Sequence, residues 1–436
     1  MRRVVHPLLG SPPGDRRERK PMKRIAFALG LAALFASTSA SAIKVPTGNT
    51  DYDLNVSVLI QARYEGTFEG STEKSLDSDF FMRRARLAAG GTAFKVFSFF
   101  IQYDNSNLGK RTANGLANIA AAVNPGFVQD AIVGWTPIPD FTIEAGLILE
   151  PTLRTLAYSA SGGQVQIEAP IDIIFDNLSR GFRQGGAEIR GFVGPIHLIH
   201  YRLGVWEGFH DTTATTGAAP GPAVNPGGKP MIGGHVRVNL IGDETGYGLN
   251  QMYLDGKTRA SIGGAVQYQP RAACGGAVTT CSLKSGGGAA GVVNDYKFFG
   301  GDAFLDAALG GDLEFAVSAS IARWDYGSNA GQTGFNRTGT GITGEVDLRI
   351  GGIAPYIAAY RYLADAGTTS KVVDRRKIAA GLAFFLKGQQ DKINVEWTNI
   401  TPGTPGNPGA IAPVANAGGI NGATTNAIWV QGQAAF

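Results

Sequence analysis

Apolar and polar side chains alternate one for one along most of this chain, and that period of two limits what it can fold into. In Leu54–Tyr64, Val56, Val58, Ile60, Ala62 and Tyr64 share one face, while Asn55, Ser57, Gln61 and Arg63 share the other. Phe97, Phe99, Ile101 and Tyr103 oppose Ser98, Gln102 and Asp104 in the same way. Ile342, Val346 and Leu348 oppose Thr343, Glu345, Asp347 and Arg349, and Ile393, Val395 and Trp397 oppose Asn394, Glu396 and Thr398. Successive side chains of an extended strand point to opposite faces, whereas a helix would space its apolar residues three or four apart. These segments are strands with one apolar and one polar side.

Sandwiches alternate too, so the connections decide the architecture. Strands are predicted near 54–66, 80–90, 94–105, 127–136, 140–149, 184–192, 196–206, 230–241, 257–269, 294–300, 311–326, 339–350, 353–363, 374–386, 390–400 and 424–436. Short joins at Gly90–Ala93, Thr136–Pro139, Val193–Pro195, Gly351–Gly352 and Lys387–Gln389 alternate with long ones at 106–126, 150–183, 207–229, 270–293, 327–338 and 401–423. The joins 242–256 and 301–310 break the rule by being too long for tight turns. Turns at one end and long loops at the other mark a transmembrane β-barrel. The fold class is therefore all-β, a transmembrane antiparallel barrel of about sixteen strands, an even count.

Mean hydropathy of −0.01 excludes a bundle of membrane helices but suits a barrel, in which only every second residue meets lipid. Glycine, 62 of 436 residues, is about twice its usual share.

The N-terminal region reads as an export signal. Met22-Lys23-Arg24 is basic, Ile25–Phe35 is apolar, and Ala40-Ser41-Ala42 is a small-residue cleavage site, so 22–42 is a signal peptide. Residues 1–21 are expected to be an upstream extension that is not part of the true product. Residues 43–436 are then one outer-membrane barrel. The first 42 residues hold eight of the 39 basic residues and two of the 35 acidic ones, which leaves 31 bases against 33 acids. No nucleic-acid footprint follows from a chain of that balance. Export favours a disulfide between Cys274 and Cys281. Ile428, Val430, Gly432, Ala434 and the terminal Phe436 share one face of the last strand, which must close on the first because lipid tolerates no open edge.

Several stretches resemble the phosphate-selective porin O and P family. They are Phe80-Phe81-Met82-Arg83-Arg84-Ala85-Arg86-Leu87 before Gly90-Gly91, the aromatic strand Phe97–Tyr103 with Asp104, and Val128-Gln129-Asp130-Ala131 running to Trp135. Phe141–Leu149 with Glu150-Pro151, Arg202–Trp206 with Glu207-Gly208, and Gln431–Phe436 also fit. The resemblance implies a sixteen-stranded homotrimeric porin whose third external loop, here 150–183, folds inward to narrow the pore. It also implies phosphate or other anions as solutes, and a C-terminal Phe436 read by the outer-membrane assembly machinery. Anion-selective members crowd the constriction with bases. Loop 150–183 instead carries Arg154, Arg180 and Arg183 beside Glu150, Glu168, Asp172 and Asp176.

The expected function is passive diffusion of small solutes or ions across the bacterial outer membrane. A pore selects by fixed charge in a low-dielectric wall, and Arg binds anions through a planar fork that stays charged. Alternation places Arg63, Arg84, Arg86, Arg202, Arg237 and Arg361 toward the lumen, with Arg154 on the inward loop. Arg83 falls on the opposite face from Arg84 unless a bulge reverses the parity. Each arginine has a second reading, as a wall partner of Glu144, Glu188, Glu345, Asp347 or Glu396. Trp135, Trp206, Trp324, Trp397, Tyr201 and Tyr360 read as girdle residues at headgroup level. His197, His200 and His235 are too scattered for a metal site, and no cofactor is implied.

Two other classes compete. A non-conducting structural or receptor barrel would share the pattern but not the pathway. A membrane enzyme needs a nucleophile, a base and an orienting group, and no compact Ser/His/Asp set is visible. Expected partners are outer-membrane lipids, lipopolysaccharide and small solutes.

Overall fold

The computed structural model describes residues 42–69, 76–110, 126–158, 163–168, 183–208, 229–245, 248–275, 292–325, 327, 338–365, 375–402 and 425–436. A two-residue strand, β1 (Ile43–Lys44), pairs with the start of β2 (Tyr52–Glu69). The chain then builds β3 (Leu76–Ala93), β4 (Phe97–Leu108), β5 (Phe127–Ile138), β6 (Phe141–Leu149), β7 (Arg183–Val193) and β8 (Ile199–Trp206). It continues through β9 (Met231–Ile241), β10 (Arg259–Gly275), β11 (Val292–Gly310), β12 (Leu313–Asp325) and β13 (Gly339–Ile350). The last four are β14 (Ile353–Ala364), β15 (Arg375–Lys387), β16 (Asp391–Pro402) and β17 (Thr425–Ala435).

Strands β2 to β17 pair antiparallel in sequence order, and β17 returns to β2 with Thr425 opposite Glu69 and Ala435 opposite Leu59. The result is a closed sixteen-stranded antiparallel barrel. Phe436 finishes the seam, its N–H donating to the Val58 carbonyl at 2.9 Å and its own carbonyl accepting from the Val58 N–H. Closure removes every sheet edge, the condition for a sheet that sits in hydrocarbon. The outer surface is apolar and exposed at Val133, Val266, Phe299, Ile321 and Ile357, while β12 and β13 turn alternate residues inward and bury them.

Seven joins lie at the end that carries Phe436. Six are brief: 94–96, 139–140, 194–198, 311–312, 351–352 and 388–390. Gly351 and Gly388 supply the left-handed backbone (φ 63° and 57°) that their turns require. Two predicted joins are corrected. Gly90–Ala93 belongs to β3, and the turn follows it, with Phe94 and Lys95 at φ 52° and 61°. Residues 301–310 are strand, since β11 runs to Gly310 and pairs with β12 throughout. Their Gly, Ala and Asp content imitates a loop, but ladder pairing overrides weak strand propensity. The seventh join, 242–258, is long in the structure too, and its described middle, 248–254, folds inside the barrel.

The interior is not uniformly polar. Inward-facing Trp206, Tyr296, Phe298, Trp324, Tyr360 and Tyr362 form an apolar core with Leu149 at the end of β6 and with Leu153, Ala157, Tyr158 and Leu249, which come from segments crossing the lumen. Trp206, Trp324 and Tyr360 are therefore not girdle residues. They face inward because those segments give them something to pack against. Trp135 and Trp397 point outward and are exposed. Of the predicted disulfide, Cys274 closes β10 and Cys281 lies outside the described residues, as does the leader up to residue 41.

Candidate functional site

Two β-bulges shape the charged wall. Opposite β2, the register slips between Gln61 and Ala62, which face Arg84 and Met82, so Arg83 is the extra residue. Opposite β4, it slips between Gln102 and Tyr103, leaving Gln129 extra on β5. A bulge sets two consecutive side chains on one side of a strand. Here it turns Arg83 inward beside Arg84, the reversal of parity that the sequence left open, and Gln129 inward beside Asp130.

Two internal arms meet this wall. The first comes from the join after β6. Its described parts, 150–158 and 163–168, include Leu153, Arg154, Thr155, Val165 and Ile167, all 0–1% exposed. The polar groups of this arm are satisfied on the inward faces of distant strands. Tyr158 donates to Glu345 (2.9 Å), Gln166 donates to Glu345 (3.1 Å), the Ile167 N–H donates to Glu396 (3.0 Å), and Asn394 donates to the Val165 carbonyl (2.5 Å). The approach is close enough that a Cβ on Gly300 would lie 2.9 Å from Leu153 Cδ2.

In the second described part of the arm, Glu168 receives Arg63 Nη2 (2.6 Å), Arg84 Nη2 (3.0 Å) and Arg83 Nε. Burial alone would raise the Glu168 pKa, but these guanidiniums outweigh it and hold the carboxyl well below its usual range.

The second arm is the join 242–258. Its Glu244, Leu249, Gln251 and Met252 are 0–5% exposed. Leu249 pairs with Tyr158 in a parallel bridge, and the Gln251 N–H donates to the Gly163 carbonyl (2.6 Å), so the two arms run together. Gln251 Nε2 then reaches Asp347 (3.0 Å), while the Tyr253 and Leu254 N–H groups donate to Asp306 (2.9 Å) and Glu314 (3.0 Å). The carboxylates of β11 to β13 thus hold backbone and amide groups of the second arm rather than facing open water.

Arg154 and Glu244 join the arms by a bidentate pair of 2.9 and 2.5 Å, with side chains 0% and 1% exposed. Arg154 also donates to the Asn250 carbonyl (2.8 Å) and lies 3.3 Å from the centroid of the Phe304 ring. Glu244 further accepts from Ser261 (2.7 Å) and Tyr253 (2.7 Å) and has Arg237 Nε at 3.5 Å. Burial pushes its pKa up, yet Arg154 and Arg237 bring it down to about 2. Removing one partner of such a buried pair typically costs about 3–5 kcal/mol, because a desolvated charge is left behind.

The predicted arginines thus take different places. Arg63 and Arg84 clamp Glu168. Arg154 and Arg237 are sealed between arm and wall. Arg202 pairs with Glu188 (2.8 Å) and donates to the Leu149 carbonyl (2.6 Å), fixing the root of the first arm. Arg86 pairs with Asp104 at 2.9 Å. Arg361 is corrected: on β14 the inward, buried residues are Tyr356, Ala358, Tyr360 and Tyr362, so Arg361 points outward and is exposed. Alternation in Ala358–Tyr362 does not tell which parity is inner, and the bulky tyrosines take the inside because Glu345 and Glu396 accept their hydroxyl protons.

Sequence reasoning missed Glu244 and the ion pairs Arg183–Asp130 (3.0 Å) and Arg190–Glu144 (2.7 Å) as a set with Arg86–Asp104. Only the excess length of 242–256 signalled the first. In these three pairs the guanidinium side chain is 11–24% exposed and its carboxylate only 2–4%. The cations face the lumen and the anions stand behind them. Among the described residues, no group of three or more His, Cys, Asp or Glu is arranged to hold a metal ion.

Residues 55–148, which span β2 to β6 and both bulges, match the model of the family described as phosphate-selective porin O and P. The resemblance seen in the Arg-Arg-x-Arg stretch is thereby found independently. No curated protein matches significantly. Among solved structures, Pseudomonas putida OprB aligns with a TM-score of 0.55 at 8% identity, covering 88% of this chain and 94% of that one. The outer membrane channel DcaP of Acinetobacter baumannii aligns at 0.51 and 12% identity, covering 91% of this chain and 100% of that one. Salmonella typhi OmpF, in complex with daunomycin, aligns at 0.51 and 10% identity, covering 90% and 100%. At such identities the likeness is one of fold.

Proposed function

We propose that this protein is an outer-membrane porin through which small hydrophilic solutes diffuse passively along the β3 to β7 side of the barrel. The observation that carries this reading is the division of the interior. Among the described residues, the arms and their apolar core pack against β8 to β17 and touch β2 and β3 through Glu168, while β3 to β7 present the more exposed pairs Arg86–Asp104, Arg183–Asp130 and Arg190–Glu144. A narrow, charged, hydrated wall is what ion passage requires, and no covalent chemistry is needed.

The reading includes a modest anion preference. Each cation is paired one to one with an acid but is the more exposed partner, so the wall attracts anions weakly without binding them tightly. Reversal potential in a KCl gradient tests this directly. Mild anion preference is expected, lowered by Arg86→Ala or Arg190→Ala; strong cation preference in the unmodified protein would refute it.

The remaining expectations belong to the same proposal. Residues 22–42 are removed on export, so that the mature chain starts at Ile43, which N-terminal sequencing checks. Cys274 and Cys281 form a local disulfide in the processed chain. The protein sits in the outer membrane among lipids and lipopolysaccharide as a homotrimer, and Phe436 is the signal read during assembly. A silent receptor barrel is the second reading, favoured by the apolar packing inside the lumen; it predicts insertion without conductance.

A further inference from the structure

We infer that the Arg154–Glu244 pair is a latch that sets pore width, by holding the middle of the β9–β10 join, the described residues 248–254, inside the barrel as a second constriction arm. This rests on the porin reading above and adds a residue pair that determines what the channel admits.

The six other joins at this end of the barrel are short, so reversing the chain does not need seventeen residues here. The middle of the join nonetheless turns inward, with Met252 at 0%, Gln251 at 1% and Leu249 at 5% exposed, while 242–243 and 255–257 at its two ends stay exposed. Many of the contacts that keep it there are single hydrogen bonds: Gln251 to Asp347, Gln389 to the Met252 carbonyl (3.0 Å), and the Tyr253 and Leu254 N–H groups to Asp306 and Glu314. The Arg154–Glu244 pair differs in kind. It is bidentate, fully desolvated, and ties one arm to the other. Loss of either partner leaves a buried charge whose cheapest relief is water entry, and water enters by displacing the arm. The strands that bound the second arm, β9 and β10, stay fixed by their own ladders, so the arm swings toward its own end of the barrel without unravelling the wall.

The test compares single-channel conductance of the full-length protein in planar bilayers with that of Glu244→Ala and of the apolar pair Arg154→Met/Glu244→Leu, each checked for barrel formation by heat-modifiable mobility. Glu244→Ala is expected to raise conductance about twofold or more and to admit larger neutral polyethylene glycols. The apolar pair removes both charges together and is expected to return conductance to the unmodified value. Unchanged conductance in an inserted Glu244→Ala barrel overturns the latch, as does an apolar pair as open as the single variant. If Glu244→Ala does not insert, Glu244→Gln, which keeps the shape of the side chain and removes its charge, is measured in its place by the same criterion. A silent unmodified protein with a conducting Glu244→Ala would refute the porin reading while supporting the latch; a conducting protein that ignores the substitution refutes only the latch.

Discussion

Glu168 shows how one residue balances several others. Three guanidiniums converge on its carboxylate among the described residues, and all three come from the two strands that meet at the Arg83 bulge. Glu168→Gln should leave those arginines with one fewer countercharge, shifting the reversal potential toward greater anion preference. An unchanged reversal potential would show that they do not face the pathway. Acid acts through the same kind of group. The Glu244 pKa is lowered to about 2, so the stability it contributes is present above the unfolded value near 4.5 and is lost as pH falls toward 2. Conductance should therefore stay level from neutral pH to about 5, and rise only as the medium approaches pH 2. By contrast, Arg361→Ala should leave selectivity unchanged, since that side chain lies on the outer face. Sequence alternation placed Arg63, Arg84, Arg86, Arg202 and Arg237 on the inner face but gave no means of telling a lumen cation from a clamp. That difference lies in partners such as Glu168 and Glu244, far away in the sequence.

At the scale of elements, strands were legible because burial on one face imposes a two-residue period whatever the tertiary context. The sixteen barrel strands follow the predicted order. Misreadings fell where composition and pairing disagree, as at 301–310, where small residues lie inside a regular ladder. The bulges at Arg83 and Gln129 were not fixed by sequence, because a bulge shows itself only against the partner strand's register. The second arm was visible merely as surplus length. Its backbone N–H groups are nonetheless satisfied by the wall and by the first arm, through Leu249, Gln251, Tyr253 and Leu254. Hydrogen exchange followed by mass spectrometry should thus find 249–254 protected although it lies outside the strands. Rapid exchange there would mean that the arm does not rest inside.

For the whole molecule, the barrel is two environments divided by a sheet one residue thick. Its exterior meets hydrocarbon through residues such as Val133, Val266 and Ile357, so an arginine at Val266 should destabilise the folded protein by about 2–4 kcal/mol if that position lies near the bilayer midplane. Urea titration in lipid vesicles measures this, and no loss of stability would argue that β10 does not face lipid. Among the described residues the interior is lopsided, with arms packed mainly against β8 to β17 and the more exposed cations of the ion pairs on β3 to β7. That asymmetry turns a scaffold of alternating residues into a route for solutes. The most direct test is the current carried by the purified, processed protein across a planar lipid bilayer. Discrete stepwise increases with mild anion preference are expected; barrels that insert fully yet pass no current would contradict the account.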